Sequence, residues 1–260
     1  MIGKCKLCLT DGVELQSSHF LPAAVYRAMR SKSSPGNPNP WEVTPSSAKQ
    51  TSRQVKAPLL CRDCEQRFSS NGERWVFTHG LRNDGTFPLA AILASRVPVA
   101  YNPSISSTKV YSAAQIPEIN QAALTYFAVS MFWRGSIHPW KRDGTCPVPL
   151  GPYEEPVRQF LLGIAGFPVD VTLNVVVREP SGIRYLTHEP LGEWRGDLFV
   201  SKFPMPGLAF ALNAGKALPA PLRNTCFVRG SGNPIVLSGT LEQPILDESV
   251  RMIKSGRRKP

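Results

Sequence analysis

Leu60-Cys61-Arg62-Asp63-Cys64-Glu65-Gln66-Arg67-Phe68 decides how the N-terminal quarter of this chain folds. It places two thiols on either side of a two-residue gap, in a segment that reads as a turn running into a helix. A pair with the same spacing, Cys5-Lys6-Leu7-Cys8, opens the chain. Thiolate sulfur is a soft ligand, and two such knuckles fill the four positions of a tetrahedral zinc ion. A closed shell leaves no position for water, so this ion is expected to be structural. It would clamp the ends of the long segment between the knuckles, offsetting ordering entropy that a small apolar cluster could not. The other reading of the same residues is two redox pairs or four unrelated thiols; the equal spacing favours the metal. Cys146 and Cys226 stand alone and read as inert.

The totals set the frame. The 260 residues leave room for one large or two small domains, and 42% hydrophobic with 19% charged residues is a globular composition. No stretch approaches the roughly 18 apolar residues of a membrane helix. The first residues, Met-Ile-Gly-Lys-Cys-Lys, lack the apolar core of a secretory signal, so the expectation is a soluble, cytoplasmic protein without a membrane partner. Thirty basic against nineteen acidic residues give a formal charge of +11. That balance favours a polyanionic partner, nucleic acid first, because basic side chains displace counterions condensed on phosphates.

The pattern along the chain predicts an α+β protein. Residues 1–80 form a zinc-binding module, and residues 81–260 form a larger domain with a mostly antiparallel sheet and helices. In the first part, Pro22–Arg30 reads as a short helix, and Ser31–Gln54, with its Ser33–Pro40 proline run, as a long exposed loop. In the second, Leu89–Ala94 is a short helix or strand. Pro117–Trp133 is a central helix, started by proline and glutamate and stopped by Gly135. Glu154–Leu162 is another helix. Strands are expected at Asp170–Arg178, Gly182–Leu186, Asp197–Phe203, Leu208–Asn213, Cys226–Arg229 and Pro234–Leu237. The basic tail Lys254–Lys259 is expected to be mobile.

His19 lies about ten residues past the first knuckle, in Ser17-Ser18-His19-Phe20-Leu21-Pro22. A neutral imidazole is the usual general base near pH 7, although a lone histidine more often packs or caps a helix. Three motifs in order carry a resemblance: Cys5-Lys6-Leu7-Cys8, then Ser18-His19-Phe20-Leu21-Pro22, then Leu60-Cys61-Arg62-Asp63-Cys64-Glu65. Over about 80 residues the chain resembles the zinc-containing HNH nucleases, built on the ββα-metal, treble-clef finger. The resemblance implies His19 as general base, Glu65 as ligand of a catalytic Mg²⁺ or Mn²⁺, and the four cysteines as structural zinc ligands. A carboxylate at Glu65 replaces the family's usual histidine and suits a hard cation. Ser18 stands where the family often has a ligand, and only Gln54 is available in place of the asparagine that orients the histidine. Glu73 is a candidate second carboxylate if the helix continues past Gly72. Arg27, Arg30, Arg62, Arg67 and Arg74 would hold the flanking backbone of the nucleic acid, DNA ahead of RNA.

Other residues read as structural: His79 as non-catalytic, His138 and His188 as turn residues, and Trp133-Arg134 as a guanidinium stacked on indole. No nucleotide-binding glycine motif is present. The function classes left open are an HNH-type endonuclease, a zinc finger that binds nucleic acid without cutting it, and a scaffold or regulatory protein with a structural zinc.

Overall fold

A computed structural model of the chain describes residues 1–30, 39, 41–44, 47–50, 52, 54–82, 86–101, 108–140, 144–178 and 190–238. The expected strand at 182–186, His188, the basic tail and all of the proline run 33–40 but Asn39 lie outside these residues.

The first layer is a small antiparallel sheet followed by a helix. Strand β1 (Ile2–Gly3) pairs with β2 (Val13–His19). Helix α1 (Ala23–Met29) follows directly and buries Val25 and Met29. Strands β3 (Trp41–Thr44) and β4 (Ser47–Gln50) then form a hairpin of their own, so the 31–54 segment is not a continuous loop. Strand β5 (Lys56–Cys61) returns antiparallel to β2 with a register shift between Gln16 and Ser17, opposite Pro58, which lacks a backbone donor.

The chain leaves β5 straight into α2 (Arg62–Phe68), continues through a single π-helical stretch at Ser69–Glu73, and finishes as α3 (Arg74–His79). Gly72 therefore does not break the helix. Its backbone rests on Phe127: a Cβ there would lie 2.8 Å from the Phe127 nitrogen and 2.9 Å from its Cα.

The second layer is a seven-stranded sheet and its helices. In chain order come α4 (Pro88–Ala94), β6 (Ala100–Tyr101), β7 (Lys109–Ser112), α5 (Gln121–Ser136), α6 (Glu154–Leu162), β8 (Val171–Arg178), β9 (Leu191–Arg195), β10 (Leu198–Met205), β11 (Leu208–Ala214), α7 (Ala220–Asn224) and β12 (Pro234–Ser238). The sheet order is β6-β7-β12-β8-β11-β10-β9, antiparallel except for β12 beside β8. In β8 the period-two valines Val171, Val175 and Val177 are buried, as a half-buried strand requires.

Helix α5 is buried from Ala123 to Ser136 and packs against α2, the π stretch, α3, α6, β10 and β11. Two details differ from the sequence reading. The helix begins at Gln121, because Asn120 Oδ1 accepts from the Ala123 amide at 2.9 Å and caps it. It runs through Gly135, where the missing Cβ makes room for Val148: a Cβ would come within 2.5 Å of Val148 Cγ2. Residues 226–229 form a turn in place of the expected strand. One continuous set of buried apolar side chains runs from Cys5 and Leu7 through Phe68, Phe127 and Trp133 to Leu237. Among the described residues, no helix is long and apolar enough to cross a membrane.

Candidate metal centre and catalytic cleft

The four cysteines Cys5, Cys8, Cys61 and Cys64 meet although 53 residues separate Cys8 from Cys61; their sulfurs all lie within 4.8 Å of one another. Backbone hydrogen bonds build the meeting point. The Cys5 amide donates to the Thr10 carbonyl at 3.0 Å, and the Leu9 amide donates to the Cys5 carbonyl at 2.9 Å. Leu9 takes a left-handed φ of 63° to close this knuckle. The knuckle is tied to the other by Lys6, whose amide donates to the Leu59 carbonyl at 2.9 Å, and by the Cys61 amide, which points at Cys5 Sγ at 3.3 Å. Arg158 on α6 braces it from outside, donating to the Leu7 carbonyl at 2.5 Å while gripping Glu155.

This donor set fits a tetrahedral thiophilic ion. Metal–sulfur bonds of about 2.3 Å require sulfurs about 3.8 Å apart, and Cys8 Sγ lies 3.9 Å from Cys61 Sγ. The electrostatics agree. Hydrogen bonding from Cys64 pulls the Cys5 thiol down to about 4, whereas Cys64, which supplies that proton and is buried, is pushed up, as is Cys61 by burial. Hydrogen bonds stabilise one thiolate here, and ionising Cys61 and Cys64 beside it calls for a cation.

The catalytic candidates sit on the same β2-β5-α2 unit. His19 ends β2, opposite Lys56 of β5. Its Nε2 is 2.6 Å from Gln54 Oε1. The amide oxygen can only accept, so Nε2 carries the hydrogen and Nδ1 keeps its lone pair. The imidazole is held below its ordinary value, first by burial, then by the positive charges of Lys56 and Arg134, against the opposing pull of Gln54 and of Glu65. The Glu65 charge thus reaches the imidazole from α2. Glu65 Oε1 is buried and has no hydrogen-bond partner among the described residues, the state of a carboxylate oxygen free to bind a cation.

Other expected residues fall elsewhere. Glu73 is not free for a metal, because its Oε1 accepts from Arg134 Nη2 at 2.7 Å. Ser18 is 1% exposed, and its hydroxyl donates to the Gln16 carbonyl. His79 stacks on Trp75, its own helical neighbour, and His138 packs edge-on against Trp140. Arg27, Arg30, Arg62, Arg67 and Arg74 are all exposed. Arg62 and Arg67 line a cleft of about 500 Å³ beside the cysteines, with Glu14 and Asp63 also on its wall, and Arg67 reaches the Leu162 carbonyl at 3.1 Å.

Arg134 is the residue whose place the sequence did not disclose. It stacks on the Phe68 ring at 4.7 Å, not on Trp133. The available signal was that Arg134 is the one charged residue of a mostly apolar helix; its partner Glu73 lies 61 residues away. Comparison with family models, curated proteins and solved structures returned no match to this chain.

Proposed function

We propose that this chain is a metal-dependent endonuclease of the HNH type, with zinc in the four-cysteine centre and DNA as its substrate. The observation that carries this reading is the pairing on one strand–strand–helix unit of a histidine with a free Nδ1 and a carboxylate with a buried, unpartnered oxygen. The four sulfurs and their backbone cradle suit zinc, which holds the ends of the unit together. Glu65 is the protein ligand offered to Mg²⁺ or Mn²⁺. Bound there, such a cation supplies electrostatic stabilisation of the phosphate and its leaving oxygen.

The chain's own residues do the rest. Gln54 fixes the tautomer and plane of His19. Burial and the nearby cations keep the imidazole neutral at pH 7, ready to take a proton from water at Nδ1 as that water attacks phosphorus. The exposed arginines Arg27, Arg30, Arg62, Arg67 and Arg74 contact the phosphate backbone, supported by the net charge of +11.

One observation favours a second reading, a zinc finger that binds nucleic acid without cutting. With Glu73 committed to Arg134 and Ser18 buried, Glu65 is left as the one carboxylate of the expected set. Purified protein with plasmid DNA and Mg²⁺ or Mn²⁺ separates the two. A nuclease nicks the plasmid, and His19→Ala lowers the rate by about 10²- to 10⁴-fold. Binding without nicking would establish the alternative, and equal cutting by the variant would overturn the role of His19.

A further inference from the structure

A second cavity, of about 540 Å³, lies between α3, the start of α5, α6 and the turn at 226–229. Its size is that of a small-molecule site. Trp75 of α3, Phe160 of α6 and Phe227 of the turn give it aromatic surface, and among the described residues no charged side chain lines it. The Trp75 ring is held by His79, which stacks on it at 4.7 Å with a 17° interplanar angle and whose Nδ1 lies 3.1 Å from the Trp75 carbonyl.

The polar groups of the lining divide into two kinds. Some are spent on the fold. The Tyr126 hydroxyl donates to the Leu161 carbonyl at 2.8 Å, the Ser70 hydroxyl to the Arg67 carbonyl at 3.3 Å, and Asn120 Oδ1 caps α5. Others are left over. Thr125, only 6% exposed, and the half-buried Gln121 make no side-chain hydrogen bond among the described residues. A buried hydroxyl without a partner costs about 1–3 kcal/mol, which a bound group in the cavity would recover. Thr125 can donate and accept, and Gln121 offers one carbonyl and one NH₂.

This set selects the ligand. A phosphate or carboxylate would lose its hydration against a wall with no cation to meet it. A purely apolar guest would leave the hydroxyl and the amide unpaired. A nucleobase meets both demands, because its face stacks on aromatic side chains and its edge carries donors and acceptors. That edge is free only when the base is unpaired. The position also fits. Trp75 stands ten residues beyond Glu65 on the same continuous helical run, a rise of about 15 Å. That is about four steps along a strand at about 3.4 Å each.

We propose that this cavity binds one unpaired nucleobase of a DNA strand, stacked against Trp75 and hydrogen-bonded by Thr125 and Gln121, so that the helix sets the distance between the held base and the cut. The part about the cut rests on the nuclease reading of His19 and Glu65.

The test uses the full chain and single-stranded oligonucleotides that carry one 2-aminopurine at each position in turn, with no divalent cation added. Stacking quenches 2-aminopurine, so binding should quench emission at a defined position. Trp75→Leu should abolish the quenching and weaken binding by about 5- to 150-fold, the worth of one base on one aromatic side chain. Thr125→Val keeps the shape and removes the hydroxyl. It should weaken binding by about 2- to 10-fold without lowering the melting temperature, and it carries the test alone if Trp75→Leu does not fold. Emission unquenched at every position, or variants that bind and quench as the wild type does, overturns the proposal. A duplex with a mismatched 2-aminopurine identifies the source. Quenching there as well marks a base extruded from a duplex, and quenching in the single strand alone marks a single-stranded segment; both support the cavity as a base site. The two readings fail separately. Quenching by a protein that never nicks DNA sinks the nuclease and keeps the base site, whereas nicking with no quenched position sinks the base site.

Discussion

Nδ1 of His19 keeps its lone pair because Gln54, 35 residues away, occupies Nε2. Replacing Gln54 with Leu frees the ring to rotate and removes a group that favours its charged form. Nicking should fall by about 10- to 100-fold, as expected when a reacting group loses its orientation. The fold should lose only about 0.5–1.5 kcal/mol, and urea unfolding of the same variant checks that half of the prediction. A pH effect on stability follows from the same residue. His19 and His138 are both held below the ordinary 6.5 by burial. The unfolded chain therefore takes up protons near 6.5 while the folded chain resists. Stability is full above that pH and declines as pH falls from about 6.5 toward the folded values; denaturant midpoints measured from pH 7.5 to 5 should show the decline, and His138→Asn should flatten it.

Residue types were the most legible feature of the site. The sequence motifs single out the cysteines, His19, Glu65 and Gln54 because their chemistry is local and their spacing is short. Glu73 shows the limit. Its spacing from Glu65 suggested a shared metal, but its partner is set by α5, and no spacing rule reaches across 61 residues.

At the scale of elements, the helix from Arg62 to His79 and the helix α5 hold the site together by touching through glycine. Gly72 lies in the π-helical stretch, where a Cβ would strike the Phe127 backbone. Backbone inside a helix cannot step aside. Gly72→Ala should therefore destabilise the protein by about 1–3 kcal/mol, despite alanine's better helix propensity. Gly166, with nothing within 4 Å of a built Cβ, is the control, and its alanine variant should be neutral or slightly stabilising. Chemical denaturation of the two variants measures both. The sequence showed Gly72 as a helix breaker because propensity sees the residue alone; tertiary contact with Phe127 makes it a packing residue. Gly135 follows the same rule against Val148. Elements with strong internal patterns were readable in advance: α1, α6 and the cores of β8, β10 and β11. The β3–β4 hairpin and the edge strand β9 were not. Their polar or mixed sequences carry little periodicity, and they are defined by pairing with a neighbour.

At the scale of the whole molecule, one apolar core joins the N-terminal unit to the seven-stranded sheet, and two arginines from the later part of the chain stabilise the earlier part. Arg158 holds the first cysteine knuckle, and Arg134 holds the helix that follows the second. A zinc ion held by the four cysteines would tie the β1–β2 end of the unit to β5 and α2, and so fix the separation of His19 from Glu65. Native mass spectrometry of the freshly purified full chain, beside Cys64→Ser, tests this most directly. One zinc per chain, lost or sharply weakened in the variant and released together with uptake of protons on acidification, is the predicted result. A chain that carries no metal, or whose mass shows the four thiols joined as disulfides, would contradict it.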